Sequence, residues 1–253
     1  MRPYFLFLVL LLITVQLACN KDDDHNPADS HHLDYATSNG NTDTSFYQFN
    51  SNGQLVGYEN KGYRWSIEVN PGDLHYLEFN KTENRTVSDA TFALNSQGNI
   101  ISGHGEFSFD VNQHYSSDFT YTYDNAGNMV ERSEVRNDGL TYTTDFTWTN
   151  GDLTSIGWKD NGIPSLTEVH SFDTDKPDKL GIDQDFFLMP MNAFVGNRSQ
   201  HLIKTYYSIT PPSITPENEI TFSFQLDEDG FPTQETVDNV SQNFHGVINY
   251  HYK

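Results

Sequence analysis

Apolar and polar residues alternate along most of this chain. Phe119, Tyr121 and Tyr123 share one face of a segment whose other face carries Thr120 and Thr122. Phe146 and Trp148 flank Thr147, and Phe222, Phe224 and Leu226 alternate with Ser223 and Gln225. A period of two marks antiparallel strands with one dry and one wet face.

The alternation is punctuated by a loose repeat that lines up on glycine. Its units read Phe46-Tyr-Gln-Phe-Asn-Ser-Asn-Gly53-Gln-Leu55, Thr91-Phe-Ala-Leu-Asn-Ser-Gln-Gly98-Asn-Ile100 and Thr120-Tyr-Thr-Tyr-Asp-Asn-Ala-Gly127-Asn-Met129. Shorter variants close on Gly72 and Gly151, and a last unit runs from Phe222 to Gly230. A turn that opens with Asn or Asp and ends on a left-handed glycine is a type I turn followed by a bulge, so each unit predicts a hairpin. The spacing of the glycines predicts strands of about eight to twelve residues, long for a globular protein. The fold expected is all-β: an antiparallel meander of long hairpins curled into a barrel or a strongly curved sheet. Closure would remove the unpaired edges that invite aggregation.

One stretch, residues 173–216, departs from the repeat and reads as a long loop or short helical insert. Its apolar cluster supplies Phe186, Phe187, Met189, Met191 and Phe194, candidates for a lid or one wall of a ligand pocket. Asp173, Asp175 and Asp178 lie close in sequence, but the glycine and closing glutamate of a calcium loop are missing, so no metal is expected.

The first residues carry a different pattern. Arg2, an apolar run from Tyr4 to Val15 and the small residue Ala18 precede Cys19, the sole cysteine. The run is shorter than the roughly 20 apolar residues of a membrane span, and its layout is that of a secretory signal. With a cysteine at the cleavage point it resembles a bacterial lipoprotein signal, in which the thiol receives the lipid. Lys21, Asp22, Asp23 and Asp24 resemble the export tag that sends Bacteroidetes lipoproteins to the outer face of the outer membrane. The expected organisation is a signal peptide at 1–18, an acidic tether at 19–34 and a single hairpin-repeat domain at 35–253. The expected location is the outer membrane, lipid-anchored, at the cell surface.

Charge narrows the partners. The chain carries a formal net charge of −21, and loss of residues 1–18 removes one arginine and no acid, which gives −22. Nucleic acid and anionic headgroups would be repelled, so no nucleic acid partner is expected. After Cys19 no cysteine remains for a disulfide. The nucleophile elbow, the His-Glu-x-x-His helix and the phosphate-binding glycine loop are all missing, and no catalytic residue or cofactor is expected. His31 and His32 fall on the tether; His245 and His251 would share a strand face about 20 Å apart, too far for one metal.

The lipoprotein start, the hairpins, Phe172-Asp-Thr-Asp-Lys-Pro-Asp-Lys-Leu180, Val195-Gly-Asn-Arg-Ser-Gln-His-Leu-Ile-Lys204 and Asp227-Glu-Asp-Gly-Phe-Pro232 together resemble the Bacteroidetes lipoproteins of domain of unknown function 4595. The resemblance implies a porin-like fold and supplies no catalytic residues. The hairpins are also similar to the tyrosine-aspartate repeats of large bacterial shell proteins. A membrane-spanning barrel needs an apolar outer band, whereas mean hydropathy here is −0.62, which predicts aromatic rings inside and Thr, Ser, Asp and Gln outside. Two functions compete: a surface binding module for a glycan, peptide or envelope protein, and a structural or assembly protein without a small ligand. A glycan-active enzyme ranks third and would require two facing carboxylates in a cleft.

Overall fold

In the computed structural model the described residues are 33–38, 44–110, 113–180, 194–239 and 241–253. Among them run sixteen strands: β1 (Leu33–Ser38), β2 (Thr44–Phe49), β3 (Leu55–Glu59), β4 (Tyr63–Asn70), β5 (Asp73–Asn80), β6 (Arg85–Leu94), β7 (Ile100–Asp110), β8 (Gln113–Tyr123), β9 (Met129–Arg136), β10 (Thr141–Thr149), β11 (Asp152–Asp160), β12 (Ile163–Pro177), β13 (His201–Ile209), β14 (Glu217–Leu226), β15 (Pro232–Asn239) and β16 (Phe244–Tyr252). Each pairs antiparallel with its neighbours in sequence, and β16 returns to β1 to close the barrel. The closing seam sets Ala36 opposite Tyr250, and Lys253 Nζ lies 2.6 Å from the Asp34 carboxylate. Among the described residues the first strand starts at Leu33.

The glycine hairpins form as their sequences predict. Asn50, Asn95, Asp124 and Asp227 each accept two backbone N–H bonds on one side-chain oxygen, from the residues two and four positions on. The glycines that close these turns, Gly53, Gly98, Gly127 and Gly230, have φ of +72°, +83°, +89° and +83°. A register shift adjoins each turn, on the incoming strand at Phe49, Leu94, Tyr123 and Leu226. Asn150-Gly151 and Asn161-Gly162, with positive φ at both residues, make the tighter two-residue turns.

In an up-and-down meander all odd-numbered strands run the same way, so the repeat glycines gather at one end. There the first or second residue of each odd strand points inward: Leu33, Leu55, Leu74, Ile100, Met129, Leu153, Leu202 and Pro232. All eight are fully buried, and each contributes roughly 1.5–3 kcal/mol of burial if its whole side chain leaves water. Leu180, Phe194 and Val195, from the segment between β12 and β13, are buried with them. We call this end the floor and the opposite end the mouth.

The irregular region is shorter than 173–216. Strand β12 continues to Pro177, β13 occupies His201–Ile209, and 210–216 is only the turn to β14. Strand β13 is inconspicuous in the sequence because its inward positions include Tyr206 and Ser208, which pair with His170 and Glu168. The remaining segment is stitched across the floor turns. Asn197 donates its backbone N–H to Gly127 O (3.1 Å) and its side-chain amide to Ala126 O (2.9 Å), and Lys179 donates to Asp229 O (2.6 Å).

Candidate functional site

The interior combines aromatic rings with a polar belt. Tyr47, Tyr58, Trp65 and Tyr76 form a ladder across four adjacent strands, with successive ring centroids 5.5, 5.9 and 6.4 Å apart. Phe92 packs on Phe119 and Tyr121 and lies against the backbone of Gly103. Buried polar groups need hydrogen-bond partners, and each carboxylate of the belt has at least one. Glu78 accepts from Tyr76 and Ser88, each at 3.0 Å; Glu134 accepts from Ser117 and Arg132, each at 2.8 Å. Glu168 accepts from Tyr206 at 2.8 Å and lies 3.7 Å from His170, and Glu235 accepts from Tyr250. Burial is the main cause that raises the Glu235 pKa, opposed by the Tyr250 bond, and burial likewise raises the Tyr47, Tyr76 and Tyr250 phenols. Each carboxylate sits on a different strand and is engaged by its own hydroxyl or guanidinium donors. That arrangement braces the wall.

The outer wall is of opposite character. Outward positions carry Thr120, Thr122, Thr221, Ser223 and Gln225 among charged pairs: His75 with Asp89 (2.7 Å), His104 with Asp118 (2.8 Å), His245 with Asp238 (2.6 Å) and Lys159 with Asp145. The Asp118 bond, foremost, raises the His104 pKa. For Lys or Arg a charge facing lipid at mid-membrane costs about 2–4 kcal/mol, and less for Asp or Glu. Among the described residues no three of His, Cys, Asp or Glu converge as a metal site.

One part of the wall differs. The register places Phe79, Arg64, Glu59, Phe46, Tyr35 and His251 in a single outward row, one from each of β5, β4, β3, β2, β1 and β16. Phe46 is 50% exposed, its ring 6.1 Å from Tyr35, which stacks on His251 at 4.3 Å. The Arg64 guanidinium lies over the Phe79 ring at 4.8 Å, and Glu59 binds Lys81 at 2.7 Å. Beside the row, where the Gln48 side chain lies across Gly57, a recess of about 300 Å³ opens, lined in part by Gln48, Glu59, Arg64, Ser66, Leu77 and Phe79.

Of the residues singled out from sequence, Phe194 is 1% exposed and belongs to the floor core. Phe186, Phe187, Met189 and Met191 lie outside the described residues, as do Cys19, Lys21, Asp22, Asp23 and Asp24. Asp173 pairs with Lys176 at 2.9 Å. His245 and His251 face outward and engage Asp238 and Tyr35. The outer row escaped sequence reading because barrel closure brings His251 to Tyr35; Phe46, first residue of a repeat unit, was the available signal.

Residues 46–234, most of the barrel, match the family described as a domain of unknown function (DUF4595) with porin-like fold. The chain belongs to this family. Solved structures similar to it include a porin-like protein from Bacteroides uniformis (TM-score 0.60, 13% identity, 87% of this chain and 98% of that one). Another is a porin-like protein from Bacteroides vulgatus (TM-score 0.65, 11% identity, 88% and 99%). At such identities the likeness is one of fold. No curated protein sequence matches the chain. The family's porin-like outline here encloses an interior of packed aromatic rings braced by hydrogen-bonded carboxylates.

Proposed function

We propose that this DUF4595 protein is a lipid-anchored, water-exposed barrel of the outer membrane that binds a partner at the cell surface, and that it is neither a pore nor an enzyme. The observation that carries this reading is the polarity of the wall: charge pairs and hydroxyls outside, aliphatic and aromatic groups inside. Such a barrel cannot be held by its own strands in a bilayer, and Cys19 supplies the anchor instead. Lys21 through Asp24 direct it outward. An aromatic row beside a recess supports a binding role. An assembly role without a small ligand is the second reading, favoured by the buried floor ring.

The test is protease shaving of intact cells that express the native chain or Cys19→Ser, with membrane and soluble fractions probed. The native chain is expected with membranes and digested on intact cells, and the variant released. A Cys19→Ser protein still retained by membranes would defeat the anchor, and a native chain protected from protease would turn the search to periplasmic partners.

A further inference from the structure

We infer that the outward row and its recess form a binding site for a neutral glycan chain, with Phe46 as the stacking platform and Gln48, Glu59 and Arg64 as the hydroxyl-reading groups. The inference rests on the surface-binding role proposed above and names its ligand class.

Three observations converge on this patch. The first is the ring set. Phe46 presents half its surface to water, and Tyr35 and His251 continue it along the row as a set of neighbouring rings. An aromatic face exposed at a fixed angle suits the apolar C–H face of a pyranose ring, and burying both removes apolar area from water without desolvating a charge.

The second is the state of the polar groups. Arg64 is fixed over Phe79, and among the described residues its guanidinium donates no hydrogen bond to the protein. Its five N–H donors are planar and directed, fit for adjacent sugar oxygens. Glu59 keeps acceptor capacity beside its bond to Lys81, and that bond, foremost, lowers its pKa, so it remains an anionic acceptor of hydroxyl protons. Gln48 is exposed and can both donate and accept. A recess of about 300 Å³ is at the small end of ligand sites and fits one sugar unit rather than a folded protein surface.

The third is charge. A chain of −21 disfavours an anionic polymer at long range. In the patch Lys81 and Arg64 stand against Glu59 alone, which gives a cationic peptide nothing to seek. A neutral ligand that bonds through hydroxyls and stacks through its ring faces meets both conditions. Neighbouring strands are about 4.8 Å apart, so successive side chains of the row meet successive parts of an extended chain.

The experiment is an array of neutral, acidic and aminated glycans probed with the purified mature chain carrying Cys19→Ser, followed by calorimetry on the retained neutral oligosaccharide. Phe46→Ala and Arg64→Ala are compared with Ile163→Ala, a control that removes an exposed apolar group from β12. A neutral glycan should be retained, with affinity lowered roughly tenfold or more by either row substitution and unchanged by Ile163→Ala. Circular dichroism melts confirm that the surface variants fold. Retention of no neutral glycan, retention of acidic glycans alone, or equal affinity in Phe46→Ala would overturn the inference. Those results leave the shaving outcome untouched, so failure of the ligand class and failure of the surface location are read separately.

Discussion

Asp152 ties the segment between β12 and β13 to the barrel, and its removal has a calculable cost. Its side chain is 5% exposed, and it accepts three hydrogen bonds: from the backbone N–H of Gln200 (2.9 Å), the backbone N–H of His201 (3.1 Å) and Nδ1 of His201 (2.8 Å). Bonds to a charged acceptor contribute about 1.5–3 kcal/mol each, and a buried donor left unmatched costs about 1–3 kcal/mol. Gln200 is exposed, so water can replace its lost acceptor; His201 is only half-buried. Asp152→Ala is therefore expected to cost about 3 kcal/mol, less than the sum of three full bonds. For a domain of this size that corresponds to a fall in Tm of roughly 6–12 °C. Asp152→Asn keeps one carbonyl oxygen for both backbone donors and should lose about 1 kcal/mol, the charge-assisted part. Urea unfolding gives the free energies, and amide hydrogen exchange at Gln200 and His201 reports where the loss falls. A cost below about 1 kcal/mol for Asp152→Ala, or equal costs for the two substitutions, would refute the reasoning.

Two further perturbations probe the interior. In Gly103→Ala the new Cβ would lie 2.2 Å from Cδ1 of the buried Phe92, so a loss of about 1–3 kcal/mol is expected in thermal melts, with partial recovery in the Gly103→Ala, Phe92→Leu double variant; additive losses would deny the contact. Burial keeps Glu235 protonated to higher pH in the folded than in the unfolded chain, so the native state holds the extra proton and stability falls as pH rises from about 4.3 through the raised value. Glu235→Gln retains an acceptor for the Tyr250 hydroxyl and should flatten that fall; urea midpoints that decline equally with pH in both proteins would exclude Glu235 as its source.

Much of the architecture is written locally. The Asn or Asp that opens each turn and the glycine that closes it act within a few residues, so Gly53, Gly98, Gly127 and Gly230 are legible without tertiary information. The inward aromatics Phe119 and Tyr121 follow from alternation alone. Strand β9 is harder. Its inward residues Arg132 and Glu134 face Tyr121 and Phe119 across the ladder, so polarity alone would point them outward. They are tolerated inside because each has a partner on the neighbouring strand or its own, and pairing between strands is not a local property. The same reason hides β13, whose Tyr206 and Ser208 answer His170 and Glu168 across the ladder. The outer row is hidden more deeply, since Tyr35 and His251 meet only because sixteen strands close.

The repeat also explains why the two ends of the barrel differ. In the repeat hairpins the glycine that ends the turn stands two positions before Leu55, Leu74, Ile100, Met129, Leu153 or Pro232. One short motif therefore reverses the chain, fixes the register and delivers an inward apolar group at the same height on alternate strands. Repetition of the motif in a meander must place those groups in one ring, and a ring of apolar side chains needs a cover to leave water. Leu180, Phe194 and Val195 supply that cover, which makes the segment between β12 and β13 a requirement of the floor. Turns at the mouth carry no such constraint, and neither do the outward positions, where only solubility limits the choice. An exposed Phe46 satisfies no demand of turn, register or floor; other apolar residues, Phe244 among them, are exposed as well, but Phe46 stands in a row with Tyr35 and His251 beside a recess, and that grouping is what a ligand accounts for.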